Sequence, residues 1–405
     1  MLIVVIASII ALGVAAALTF GPFARSDGWR ATVTPLASII GSGFLICGPL
    51  LAKEFGSLAL GAMAVLLALS YAVGWVIRFN IIHVENIAGK LTLNEPFAWA
   101  MRIAQGTLAL AYAVSVAYYL KLLAEFILKP IAIAPATQPM IANIVVTVII
   151  AGITALAYSG DIKKIEHAAH GTVSVKLGII AGMLAALAIW WAMNPHGDGM
   201  PLPPAKLSFH SIPMLLGLLI TVQGFETSRY MGETYDQATR VRTMRWSQWI
   251  SSAIYLGFLA LLTPFLGRAQ HAEGVAGILD IMELVAPALG IFVLIGAVSS
   301  QLSAAIADSI GAGGIAVEVS RKRLQVRGAF VVVAILAIAI VWLTNPFEVV
   351  ALSSRAFALF YAMQAGLAIW VSRRTQQGGV GRQVGFAIIG IICVIAAAAG
   401  APAEG

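Results

Sequence analysis

Residues 34–56 read TPLASIIGSGFLICGPLLAKEFG, and residues 215–236 read LLGLLITVQGFETSRYMGETYD. Both stretches are apolar enough to enter a bilayer, and both are interrupted part-way. Gly41-Ser42-Gly43 splits the first, and Gln223-Gly224-Phe225-Glu226 splits the second. Glycine costs about 1 kcal/mol of helix propensity relative to alanine, so two glycines flanking a serine invite the helix to unwind. Unwound backbone cannot face lipid; it must line a protein cavity or bind something. Two discontinuous helices in corresponding halves of a chain are expected of secondary transporters built from inverted repeats, whose half-helix ends meet near the bilayer midplane. The N-terminal ends suit a carboxylate and the C-terminal ends suit an ammonium or another cation. An amino acid offers both groups.

Composition agrees with a membrane setting. Of 405 residues, 60% are apolar and only 11% charged, where a water-soluble domain carries about a quarter. This argues against a soluble enzyme, a nucleic-acid-binding protein and a disordered chain. About twelve long apolar stretches, near 2–20, 31–52, 57–77, 98–128, 139–158, 171–193, 208–231, 247–266, 278–317, 328–344, 348–371 and 383–400, each approach the roughly 20 residues of one helical crossing. None alternates like a membrane β-strand. The fold class expected is an all-α polytopic membrane protein. No Lys or Arg precedes Arg25, so the first stretch lacks the basic region of a signal peptide and reads as a retained helix starting outside.

The net charge of +7 raises the question of an anionic partner. With the sides alternating from an outside start, one set of connections holds Arg25, Arg30, Arg78, Lys90, Arg102, Lys163, Lys164, Arg240, Arg242, Arg245, Arg321, Lys322, Arg323, Arg327, Arg373, Arg374 and Arg382. The other side holds only Lys53, Lys129, Lys206 and Arg268. That asymmetry fits the positive-inside rule and places both termini outside. The charge therefore orients the helices, and no nucleic-acid partner is needed.

At the breaks the residues resemble the amino acid–polyamine–organocation (APC) superfamily of permeases. Ile40-Gly41-Ser42-Gly43-Phe44, with Gly48-Pro49, resembles that family's first-helix signature. Gly224-Phe225-Glu226, with Gly232-Glu233, is similar to its sixth-helix pattern. Thr239-Arg240-Val241-Arg242-Thr243 is similar to the basic loop before its seventh helix. Gly160-Asp161-Ile162-Lys163-Lys164, then Val175-Lys176-Leu177, resembles the run from the fourth helix into the fifth. Ser299-Ser300-Gln301-Leu302-Ser303-Ala304-Ala305 resembles an eighth-helix motif, with Ser303 in place of Asn. The likeness covers about 30 to 375. It implies a LeuT-like five-plus-five inverted repeat with two broken helices. The expected units are 1–24, an extra N-terminal helix; 25–195 and 196–375, the two five-helix repeats; and 376–405, a peripheral helix. Against the family pattern there is one helix too many before the first and one too few after the tenth.

The resemblance implies a substrate site at Ile40, Gly41, Ser42, Gly43, Phe44, Tyr112, Gln223, Gly224, Phe225 and Glu226. Ser42 and the amides around it would hold a carboxylate. Lys176 lies in a span, where a charge is expensive and functional by default. The resemblance implies that its amine stands where sodium-coupled relatives hold their ion, near Ser299 and Ser300, and exchanges a proton during the cycle. A lysine snorkelling to the interface is the plain alternative. Glu226 is a second candidate for proton coupling or for an ammonium ligand, or else a structural acid paired with Arg229 at i+3. Asp308 reads as the partner of a loop arginine or the cap of a cation path. Lys121 and Arg355 are open between an acidic substrate and the outer surface, and Glu348 and Arg355, two turns apart, between a gate pair and nothing.

Cys47 and Cys393 read as small buried hydrophobes. The six histidines form no H-x-x-x-H pair within a span, which leaves a metal site unsupported. No cofactor is expected. No G-x₄-G-K-[ST] loop appears, so ATP-driven pumping is unsupported. The function expected is a secondary amino acid transporter in the bacterial inner (plasma) membrane, not an enzyme, coupled to protons or exchanging. A sodium-coupled or polyamine permease of the same fold and a non-transporting membrane subunit are the alternatives.

Overall fold

The computed structural model describes residues 2–41, 43–88, 96–159, 162–197, 199–272, 274–376 and 379–402, the side chains of 88 and 162–172 excepted. Ser42, Lys90, Gly160 and Asp161 lie outside the described residues, as do the side chains of Lys163, Lys164, His167 and His170. The described chain is almost wholly helical. In order the α-helices are α1 Leu2–Phe20, α2 Asp27–Ile39, α3 Gly43–Phe55, α4 Ala59–Phe79, α5 Glu85–Ala88, α6 Pro96–Leu128, α7 Gln138–Ser159 and α8 Ile162–Met193. Then come α9 Ser211–Gly217, α10 Gln237–Leu262, α11 Leu266–Ala269, α12 Ile278–Val285, α13 Pro287–Val319, α14 Val326–Leu343, α15 Pro346–Thr375 and α16 Gly379–Ala399.

Among the described residues, nine helical segments are long and apolar enough to cross a membrane. The α2/α3 pair, the α9 region and α15 supply the other apolar stretches of the sequence; two of these are broken, and α15 carries Glu348, Arg355, Arg373 and Arg374. Ile9, Leu12, Val148, Ile335 and Ile391 stand exposed on the outer surfaces of their helices. Water would penalise so much exposed apolar area, whereas lipid would not.

Contacts between connections test the alternation of sides. The Lys206 ammonium donates to the Lys53 carbonyl at 3.0 Å, Lys129 pairs with Asp280 at 2.8 Å, and the Ala401 amide donates to the Pro213 carbonyl at 2.9 Å. These belong to one end of the bundle. At the other end Arg240 pairs with Glu85 at 2.6 Å, and the Gln105 amide donates to Glu318 at 3.1 Å. Residues at or next to alternate connections thus meet each other, the pattern expected of about twelve crossings.

Local chemistry sets the helix ends. Asn345 accepts from the amides of Phe347 and Glu348 while Glu348 accepts from the Asn345 amide, a complete capping box opening α15. Glu348 is thereby engaged, and Arg355 donates to the Ala397 carbonyl at 2.9 Å near the end of α16, so the two do not form a gate pair. Asp236 caps α10, and hydrogen bonding from Thr239 holds its carboxyl below the usual carboxylate range. Lys121 donates to the carbonyls of Val341, at 2.7 Å, and Thr344, and so caps the end of α14. It reaches neither a substrate site nor the surface.

Several basic residues assigned to connections sit on helices instead. Arg78 is buried in α4 and donates to Gln248 at 2.6 Å. The helix continues past it through a π-helical turn, Asn80–Val84, into α5, because Asn80 finds partners on α15, donating to both the backbone and the side chain of Gln364 at 2.9 Å. Cys47 and Cys393 are free and buried, as expected.

The most buried of the membrane-length helices is α6, which packs extensively on both α13 and α15, and Tyr118, Tyr119, Phe357 and Tyr361 are fully buried. The extra helix α1 lies along α8. A Cβ on Gly178 or Gly182 would stand 2.4 Å and 2.5 Å from the carbonyl oxygens of Ala11 and Ala7. These glycines permit the close backbone approach typical of helix pairs in lipid.

Candidate functional site

Both expected breaks are present and they abut. The half-helix α2 ends at Ile39, whose successor Ile40 leaves helical geometry at φ −84°, ψ 49°, and α3 restarts at Gly43. The second break is more extended. After α9 a 3₁₀ turn, Leu219–Val222, ends at Gln223 in extended geometry, then Gly224 at φ +117°, then a second 3₁₀ turn, Phe225–Tyr230. Gly224 occupies the left-handed region that disfavours a side chain, and a Cβ there would stand 2.6 Å from Ser38 Oγ and 2.7 Å from the Ile39 amide. A Cβ on Gly43 would stand 2.5 Å from Thr221 Cα. Each break thus needs a glycine because the other break occupies the space beside it.

Polar side chains from surrounding helices hold the loosened backbone. The Tyr255 hydroxyl, from α10, lies against the Ile39 carbonyl at 3.1 Å and donates to the Thr221 carbonyl, so one side chain ties the C-terminal ends of both half-helices. Ser70 donates to the Val222 carbonyl at 3.0 Å. Ser354 of α15 donates to the Gly217 carbonyl at 2.7 Å and accepts from the Ile220 amide at 2.9 Å. These groups meet the backbone demands that lipid would leave unmet.

Lys176 is 4% exposed and its ammonium donates to the Ala37 carbonyl at 2.7 Å. It therefore sits at the C-terminal, partially negative end of α2 rather than snorkelling to an interface. A small cavity of about 20 Å³ lies beside it, bounded by Ile40, Gly41, Phe44 and Leu45 of the first break, by Ile179 and Met183 of α8, and by Gly296 and Ser300 of α13. Ser300, rather than Ser299, lines it. The Ser300 hydroxyl and both polar atoms of Gln301 are buried without partners.

At the second break, Gln223 donates to the Tyr119 hydroxyl at 3.2 Å, and Tyr119 in turn lies 3.2 Å from the position of a Cβ on Gly41. The Glu226 carboxylate, fully buried, accepts through Oε2 from the Gly224 amide and from the Tyr361 hydroxyl, both at 2.9 Å. Glu226 Oε1 and Gln223 Oε1 are buried without partners. Phe225 stacks on Tyr361 with ring centroids 5.5 Å apart. Arg229 does not pair with Glu226; it donates to Gln364 of α15.

Two other candidates make their contacts beside the breaks, within range of the Glu226 charge. Asp308 is buried in α13 and accepts from Ser115 of α6, not from a loop arginine. Tyr112 is buried against Phe357, edge to face at 5.7 Å, and against Gly311. Sequence reading passed over Tyr255, Tyr361, Ser70 and Ser354. Their only signal was a hydroxyl within an apolar span, shared by many side chains that bond merely to their own helix.

The site therefore gathers an ammonium, a carboxylate, the N-terminal end of α3 and several unpartnered polar atoms at two facing breaks. A buried polar atom without a partner calls for a ligand or water. Among the described residues no three His, Cys, Asp or Glu side chains come together as metal ligands would.

Comparison with other proteins agrees. A family model described as an APC superfamily transporter matches residues 21–400, which leaves α1 outside the match. An uncharacterized protein of Aquifex aeolicus is 35% identical over 348 residues, covering 85% of this chain and 84% of that one. Two crystal structures of mutants of a manganese transporter from Eremococcus coleocola superpose with TM-scores of 0.59 and 0.57, at 14% and 13% identity, each over 92% of this chain and 87% of the other. At that identity the likeness is one of fold. On the family match and the shared fold, the chain belongs to the APC superfamily of transporters and is an integral membrane protein.

Proposed function

We propose that the chain is a secondary active transporter of amino acids, working by alternating access and coupled to protons or exchanging its substrate. The observation that carries this reading is the pairing of the Lys176 ammonium with the Ala37 carbonyl at the end of a broken half-helix, beside a cavity that also reaches Ser300. A side-chain ammonium there supplies internally the positive charge that a coupling cation would bring, and a lysine can exchange a proton where a bound metal cation cannot. The amides at the start of α3 suit a substrate carboxylate, and Glu226 Oε1 suits its ammonium. In this reading residues 25–195 and 196–375 form two five-helix repeats, 1–24 and 376–405 are peripheral, and both termini face outward from a bacterial inner membrane.

The test is uptake of a panel of radiolabelled amino acids into proteoliposomes holding the full chain, with proton and sodium gradients imposed in turn. The reading predicts saturable uptake driven by an inward proton gradient or by internal substrate, and indifferent to sodium. Uptake that needs sodium overturns the coupling assignment, and absence of saturable uptake across the panel overturns the substrate class. A second reading, an organic-amine permease, is favoured by the unpartnered Glu226 oxygen. It predicts transport of amines lacking a carboxylate, so a polyamine belongs in the panel.

A further inference from the structure

Arg102, near the start of α6, lies over the ring of Trp99 with its guanidinium carbon 5.6 Å from the centroid. Its Nη1 is buried and has no hydrogen-bond partner. Beside it a cleft of about 670 Å³ runs between the start of α6 and the turn that follows α13, where Ser320, Arg321 and Arg323 line the opposite wall. The substrate site does not use this cleft, which lies at the end of the bundle that carries Arg240 and Glu85.

Two features separate the cleft from ordinary interfacial arginines. The first is the orphaned nitrogen, because a guanidinium presents its donors in a planar fork that seeks paired oxygens, and Nη1 is turned away from bulk water without finding one. The second is the two-sided lining. Trp99 and Ile103 are 53% and 56% exposed on one wall, while Arg321 and Arg323 stand on the other. Glu318 is the acid nearest in sequence to the polar wall, and it is engaged by Gln105 at 3.1 Å. The backbone at Arg321 and Lys322 is left-handed, at φ 56° and 61°, a costly turn for residues with side chains, and it brings Arg321 and Arg323 into one wall.

We propose that this cleft binds a phosphate-bearing anion, with Arg102, Arg321 and Arg323 as its ligands. An amphipathic wall with an aromatic at the interface matches the phosphodiester and glycerol region of an anionic phospholipid. Free phosphate shares the same charged chemistry without the apolar part.

The experiment uses the full chain purified in mild detergent, and measures retained phospholipid by native mass spectrometry after exposure to mixed micelles of phosphatidylglycerol and phosphatidylcholine. Phosphatidylglycerol is expected to be retained in preference, and R102Q to reduce its retention roughly tenfold, the effect of losing one charge-assisted hydrogen bond. The double variant R321Q/R323Q should do the same from the opposite wall, which guards against a folding defect particular to Arg102. Inorganic phosphate at millimolar concentration forms the second arm. Failure to displace the lipid assigns the site to the headgroup. Arg102-dependent phosphate binding without lipid preference assigns it to the free anion. Equal retention of both lipids without phosphate binding, or retention unchanged in both variants, overturns the proposal.

Discussion

The Lys176 ammonium and the Ala37 carbonyl stand 2.7 Å apart, which joins α8 to the end of the half-helix that carries the first break. Replacing the amine with an isosteric apolar chain removes both the charge and the bond. K176M is therefore expected to lower proton-driven uptake by about tenfold or more, within the usual range of coupling energies, while substrate exchange at equal pH persists. Measuring both in the same proteoliposomes checks this. Equal losses in the two assays would make Lys176 a structural cap alone.

Gly224 predicts a sharper loss from a smaller change. Its left-handed backbone at φ +117° and the approach of Ser38 and Ile39 leave no room for a methyl group. G224A is expected to cost on the order of 1–3 kcal/mol and to abolish uptake by pushing the breaks apart. Gly257, in the middle of α10, has open space where a Cβ would go. G257A should leave uptake intact and stabilise by up to about 1 kcal/mol. Thermal unfolding in detergent and uptake, measured on both variants, provide the comparison.

That contrast shows what the sequence made legible. The helical class and the positions of both breaks followed from apolar length and Gly41, Gly43 and Gly224. The partners of charged residues did not. Lys121 reads as a membrane lysine, yet what it touches is the end of α14, 220 residues away. Asp308 finds a hydroxyl on α6, and Glu226 finds Tyr361 rather than the arginine three residues on. Such pairings depend on helix rotation, and one residue of rotation turns a side chain by about 100°. Apolar periodicity is a poor guide to rotation in a chain whose helices are apolar on every face.

The Tyr361 hydroxyl donates to Glu226 at 2.9 Å, and Phe225 stacks on the same ring. Y361F keeps the ring and deletes the donor, leaving the Gly224 amide to hold Glu226 alone. Losing a hydrogen bond to a charged group costs about 1.5–3 kcal/mol. Expression should be near normal, while KM for the transported substrate rises about tenfold. E226Q is expected to remove transport of amines that lack a carboxylate more completely than transport of amino acids, which keep their carboxylate anchor at α3. Competition uptake with the two substrate classes reads the difference.

Lys121 makes an opposite prediction, stability without selectivity. Its ammonium satisfies the carbonyls of Val341 and Thr344 at the end of α14, and no substrate-lining residue is among its partners. K121M keeps the length of the side chain and leaves those carbonyls buried without a donor, at a cost of about 1–3 kcal/mol. The expected outcome is a lower thermal midpoint in detergent with the ranking of acidic, neutral and basic amino acids in competition uptake unchanged. The structure ties the cost to the helix end, so K121R, which retains donors and charge, should recover part of the stability. A change in preference for acidic substrates in K121M would instead place this lysine on the transport path.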